Sequence, residues 1–138
     1  MVFQEVELAD VLAHLEFIRE AIPEINLTEK EIRERLRDRI WGGILVHSHT
    51  DEEVVGIVVW YELDESMYIW LGAFAPEYRR HKLCTHAFRY LEESTSYKRW
   101  FAKVGAGNIP ASFFLQNLGF APYEEEAAGA VLLYERFS

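Results

Sequence analysis

The chain has 138 residues, a formal net charge of -9 and a sequence pI near 5.0, which excludes general nucleic-acid binding, since that is driven by neutralising phosphates with Lys and Arg. Half of its residues are hydrophobic, and one domain spanning 1–138 is expected, because a chain of this size buries roughly 70% of its unfolded surface around one core. The single cysteine, Cys84, excludes an internal disulfide framework, and no segment reads as a targeting signal or membrane span, so the expected location is the cytoplasm.

Residues 2–8, VFQEVEL, alternate as a short strand. Asp10 then reads as an N-cap, with Val11, Leu12, Leu15, Ile18 and Ile22 on one helical face ended by Pro23. Thr28 and Glu31 form a capping box for a second helix, whose stripe Ile32, Leu36 and Ile40 runs to a stop at Gly42-Gly43. The period then changes. GILVHSH, EVVGIVVWYEL and MYIWLGAFAP read as three consecutive antiparallel strands, separated by the turns HTDE and LDES. Leu83, Ala87, Tyr90 and Leu91 keep helical spacing to about Ser94. RWFAKVGAG is a further strand, and Asn108 caps a helix with Pro110 in its first turn and Gly119 at its end. FAPYEEE and AVLLYERF close the chain as a hairpin around Ala127-Ala128-Gly129. The fold class is therefore α/β, a mixed sheet with helices on its faces, in the order β-α-α-β-β-β-α-β-α-β-β.

This order, together with the segment LGAFAPEYRRHKLCTHAF, resembles the GCN5-related N-acetyltransferase (GNAT) superfamily across essentially the whole chain. The segment is similar to that family's motif A, a strand ending in proline followed by Arg/Gln-x-x-Gly-x-Gly/Ala at the start of a helix. NIPASFFLQNLGF is similar to motif B, through Asn108, Ala111 and Gly119-Phe120. The physical sense is plain. A strand feeding directly into a helix leaves the first helical N–H groups converging on one point, with the positive end of the helix dipole behind them, and a pyrophosphate fits there.

The resemblance implies acetyl-CoA as co-substrate. Its pyrophosphate would be held by Arg79, Arg80, His81, Lys82, Leu83, Cys84 and Thr85, its pantetheine arm would pair with strand peptides near Phe74 and Ala75, and Asn108 would also bind the cofactor. It also implies transfer of an acetyl group to a small-molecule or protein amine by direct attack on the thioester, with acceptor specificity near residues 20–45. The net charge favours a cationic acceptor. Lys82 and Cys84 stand where the family favours glycine or a small residue, and Leu115 stands where it commonly has a tyrosine that protonates the departing thiolate. These departures support an alternative, a GNAT-fold module that binds CoA or a protein partner without transfer.

Glu62 is the foremost candidate base, with Asp64, Tyr68 and Glu77 behind it. Tyr123 and Cys84 are candidate proton donors by type, Cys84 being read chiefly as a packing residue. His47, His49 and Asp51 have metal-compatible spacing but read as solvated hairpin residues, so no metal site is expected. The strand AVLLYERF offers a surface for pairing across a homodimer.

Overall fold

Seven strands form one sheet in the order β1-β2-β3-β4-β5-β7-β6. The computed structural model describes residues 2–22, 26–48, 53–75 and 83–137, with the backbone alone for Leu83, Cys84 and Pro110. The elements are β1 (Val2–Glu5), α1 (Leu8–Ala13), α2 (Leu15–Ala21), α3 (Glu29–Leu36), β2 (Trp41–His47), β3 (Val54–Leu63), β4 (Ser66–Phe74), α4 (Leu83–Ser94), β5 (Arg99–Gly105), α5 (Ile109–Asn117), β6 (Ala121–Glu126) and β7 (Val131–Phe137). The strands β1 to β4 are antiparallel neighbours, β4 and β5 are parallel, and β5, β7 and β6 are again antiparallel.

The mixed α/β order read from the sequence is present, with three local differences. The first helix is two helices. His14 Nδ1–H donates to the Asp10 carbonyl at 2.8 Å, so the side chain takes the i−4 acceptor that a continuous helix would use, and the His14 N–H turns to the Val11 carbonyl. Asp10 is not the N-cap but lies three residues inside it, and its Oδ2 accepts from the Glu7 N–H at 2.8 Å.

The second helix is capped as expected, with Thr28 Oγ1 accepting from the Glu31 N–H at 3.1 Å. It ends at Leu36, however, and Ile40 is exposed. Gly42 and Gly43 are strand residues rather than a helix stop. Gly42 is required because the Trp60 indole lies across it: a Cβ there would stand 2.7 Å from the ring.

Two cores flank the sheet. On one face α4 and α5 cover Ile44, Val58, Met67, Ile69 and Trp100, with Ala87, Phe88 and Leu91 facing them from α4. On the other, Val11, Ile18, Ile32 and Leu36 from α1 to α3 cover Leu45, Ile57, Val59, Tyr61, Tyr68 and Leu71. A bidentate pair between Arg136 on β7 and Glu92 on α4 ties the closing hairpin to the helical layer. The β3–β4 turn is tight, with Asp64 and Glu65 both at positive φ as a two-residue hairpin requires.

The strand read as available for pairing across a dimer, β7, is interior, hydrogen-bonded to β5 on one side and β6 on the other. The edge is β6, whose Pro122 and Glu124 to Glu126 oppose pairing with another strand. Among the described residues no helix is long and apolar enough to cross a membrane.

Gly56 sits beneath Phe74, and a Cβ there would approach the Phe74 ring to 2.5 Å. Gly56→Ala is therefore expected to displace that ring and to lower stability by about 1–3 kcal/mol, the usual range for overpacking, read as a shift of the urea unfolding midpoint.

Candidate functional site

The parallel ladder between β4 and β5 has three rungs, Met67↔Trp100, Tyr68↔Phe101 and Ile69↔Ala102. Beyond Ile69, β4 continues to pair with β3 through Phe74, and beyond Ala102, β5 continues to pair with β7 through Gly105. The two strands part in the middle of an otherwise continuous sheet. A buried strand edge is costly when its peptide groups lack partners, so a gap here is a place for an extended ligand to add itself.

The cause is local. Val59 pairs with Leu71 and Trp60 with Ile69, which leaves Trp70 as the extra residue of a β-bulge. Bulges bend a strand and increase its twist. The bulge falls at Trp70, one residue past the last parallel rung. After it, the Ala75 N–H donates to the Val55 carbonyl at 2.9 Å. By the alternation of an antiparallel ladder Ala73 and Ala75 turn their peptides to β3, while Gly72 and Phe74 turn theirs toward the gap. Of the two residues expected to pair with an arm-like ligand, Phe74 is thus oriented for it, whereas Ala75 directs its N–H into the sheet. Gly72 is exposed, and a Cβ there would meet nothing within 4 Å.

The parallel strands end at the same edge of the sheet, so α4 and α5, which follow them, begin there as well. Both point the positive ends of their dipoles toward the mouth of the gap. Thr85 lies in the first turn of α4 and is half-buried. Asn108 caps α5, its Oδ1 accepting from the Ala111 N–H at 3.3 Å. Arg79, Arg80, His81 and Lys82 lie outside the described residues, as do Glu77, His49 and Asp51 and the side chains of Leu83 and Cys84. His47 Nε2–H donates to Gln4 Oε1 at 2.9 Å, across β1 and β2.

The remaining candidates are elsewhere. Glu62 accepts from Tyr97 Oη at 2.9 Å and pairs with Met67, near the start of β4 and thus at the far end of that strand from Phe74. It lines an open groove of about 730 Å³ with Trp60, Asp64, Tyr97 and Arg99. Burial, together with the hydrogen bond to Glu62, pushes the Tyr97 hydroxyl up to about 12. Tyr123 is the bulged residue of β6, with the Arg99 guanidinium 5.3 Å from its ring centroid. Leu115 is buried in the α4/α5 core, and Phe114 beside it packs edge-on against Phe88.

The α1–α3 face carries an aromatic row that local sequence signals do not announce: Trp70, Tyr61, Tyr68 and Phe101. Tyr61 meets Tyr68 edge-on at 5.0 Å, and Tyr68 stacks on Phe101 at 4.8 Å. Burial, chiefly, pushes the Tyr68 hydroxyl up to about 12, so at neutral pH it is a hydrogen-bond donor and not a base. Arg35 donates to Tyr61 Oη at 3.3 Å, which holds its guanidinium above the usual range. The one signal in the sequence was the spacing of Arg35 and Arg39 just before Trp41, although α3 ends at Leu36 and does not reach Arg39.

The sequence profile of the acetyltransferase (GNAT) family matches residues 12–120. No curated protein matches the chain. Among solved structures, the PaiA N-acetyltransferase from Thermoplasma acidophilum in complex with coenzyme A is 14% identical, with a TM-score of 0.71 over 100% of both chains. A GNAT family acetyltransferase from Elizabethkingia anophelis with acetyl-CoA bound is 15% identical, with a TM-score of 0.73 over 99% of this chain and 97% of that one. The ribosomal-protein-S18-alanine N-acetyltransferase from Escherichia coli is 14% identical, with a TM-score of 0.70 over 97% and 90%. At these identities the likeness shows the fold.

Both raised tyrosines release their protons later in the folded chain than in the unfolded one. Their contribution is therefore intact below about pH 10 and is lost as pH rises toward 12. The thermal midpoint should fall over that window, and less steeply in a Tyr68→Phe, Tyr97→Phe double variant.

Proposed function

Since the chain belongs to the acetyltransferase (GNAT) family, we propose that it is an acyl-CoA-dependent N-acyltransferase, moving an acetyl group from acetyl-CoA to an amine by direct attack. The observation that carries this proposal is the parting of β4 and β5 after Ile69↔Ala102, at the edge of the sheet where α4 and α5 both begin. Acetyl-CoA supplies an activated thioester carbonyl and a stable leaving group.

The residues of the chain fit such a molecule. Gly72 and Phe74 direct peptide groups into the gap where an extended arm would lie as an added strand, and the open space above Gly72 leaves room for it. Helix N-termini favour a pyrophosphate at the mouth. The first turn of α4 with Thr85, preceded by Arg79, Arg80, His81 and Lys82, is the proposed cradle. Asn108 acts by fixing the start of α5 rather than as a ligand. A peptide N–H facing the gap, at Gly72 or Phe74, is placed to polarise a carbonyl oxygen.

Catalysis on this account is mostly positioning, which can supply on the order of 7–11 kcal/mol, with the amine proton leaving through solvent. Glu62, engaged by Tyr97 at the far end of β4, and Tyr123, on the outer strand, are then accessory. The alternative, a module that binds CoA without transfer, draws on Leu115, whose buried side chain offers no proton donor where relatives commonly have tyrosine. The single cysteine suits a reducing compartment, and we assign the protein to the cytoplasm.

Calorimetric titration with acetyl-CoA should show binding at micromolar concentration, weakened at least tenfold by Arg79→Glu. Absence of binding at millimolar ligand would contradict the proposal. Binding without turnover across an amine panel would favour the non-transferring alternative. Glu62→Gln and Tyr123→Phe should each change kcat by less than about threefold, whereas a loss of a hundredfold or more would assign general acid–base catalysis to the substituted residue.

A further inference from the structure

We infer that Arg35 and Arg39 form an anion subsite for the acceptor, so that the amine acetylated here also bears a carboxylate. This rests on the acyltransferase reading above and names the substrate class of that site.

Among the described arginines, Arg19, Arg33, Arg99 and Arg136 each hydrogen-bond a carboxylate, from Glu16, Glu29, Glu135 and Glu92 respectively. Arg35, Arg37, Arg39 and Arg89 do not, and of these Arg35 and Arg39 are the ones that lie over aromatic rings of the described residues. The nearest carboxylate oxygen to Arg35, on Glu31, is 3.9 Å away, beyond hydrogen-bond length, and Arg39 has no carboxylate within 4 Å among the described residues.

Both guanidinium groups lie instead on aromatic rings. Arg35 stands 5.2 Å from the Trp70 ring centroid, and Arg39 stands 4.5 Å from that of Tyr61. Tyr61 Oη accepts from Arg35 at 3.3 Å and fixes its direction. A guanidinium on a ring keeps its in-plane N–H fork available, and that fork matches a carboxylate in a bidentate manner.

The position makes the pair specific to the reaction. Trp70 is the bulged residue directly after the last β4–β5 rung, at the point where the gap opens. A carboxylate held by Arg35 would lie beside the opening through which an amine must approach. The arginine side chain remains 37% exposed, enough for a small molecule to reach it. The chain as a whole repels anions, yet two cations without hydrogen-bonded carboxylate partners are gathered at this point. The charge that matters to the acceptor is this local one, and it reverses the preference expected from the net charge.

The test is a set of matched acceptors that differ in the carboxylate alone: phenylalanine against phenethylamine, tyrosine against tyramine, leucine against isopentylamine, and glutamate against 4-aminobutyrate for a second carboxylate. Turnover is followed by thiol release from acetyl-CoA. In at least one pair the more acidic member should have a kcat/KM tenfold or more above its partner. Arg35→Gln should bring that value down to the partner's, mainly through KM, and Arg35→Lys should restore part of the difference. Circular dichroism and the Kd for CoA, measured on the same variants, should be unchanged. Equal or better turnover of the decarboxylated members, or no turnover of any acid by protein that still binds CoA, would overturn the subsite. Failure to bind CoA would instead strike the acyltransferase reading, so the two failures are separable.

Discussion

Three parallel rungs join the two halves of this molecule, and the fact that there are only three of them governs the rest of the structure. A parallel ladder carried to the ends of β4 and β5 would satisfy those strands and leave nowhere for a ligand to add. The extra residue at Trp70 stops the ladder after Ile69↔Ala102. From there β4 follows β3, and β5 follows β7. What keeps the sheet from separating is the packing on both faces. Trp100, 2% exposed on the first rung, is buried under α4, while Tyr68 and Phe101 stack on the opposite face. Burying such rings contributes several kcal/mol apiece, enough to hold the closed end while the other end stays apart.

The placement of charge follows the same division. Within the -9 net charge, glutamates on the β6 edge keep the last strand from recruiting another chain. Two ring-stacked arginines stand near the point where the sheet opens. Arg35 and Arg39 rest on aromatic rings beside the bulge, and helix N-termini supply further positive potential without any side chain. An acidic protein can in this way attract an anionic partner locally.

Much of the fold was legible because its signals are local. The Thr28 and Asn108 caps, the LDES turn and the closing hairpin each depend on residues within one turn of each other, and each is present. The misread features depend on residues far apart in the chain. Gly42 looks like a helix stop until Trp60 is seen to lie across it. AVLLYERF looks like a free edge until β6 folds back beyond it. At the proposed site, Phe74, Thr85 and Asn108 were named from motif spacing. The bulge at Trp70 was not, since a register shift is a relation between two strands and leaves no mark on either. Glu62 was suggested by its chemistry alone, and its partner Tyr97 lies 35 residues away.

Amide hydrogen exchange with and without CoA tests the central claim most directly, namely that the gap between β4 and β5 is the slot for the acyl carrier. The account predicts slower exchange on adding CoA at residues 70–74 and at the first turns of α4 and α5, with no change around Glu62, Ser66 and Tyr97. Protection confined to that second region, the groove at the closed end of the sheet, would contradict it and move the binding site to the other end of β4.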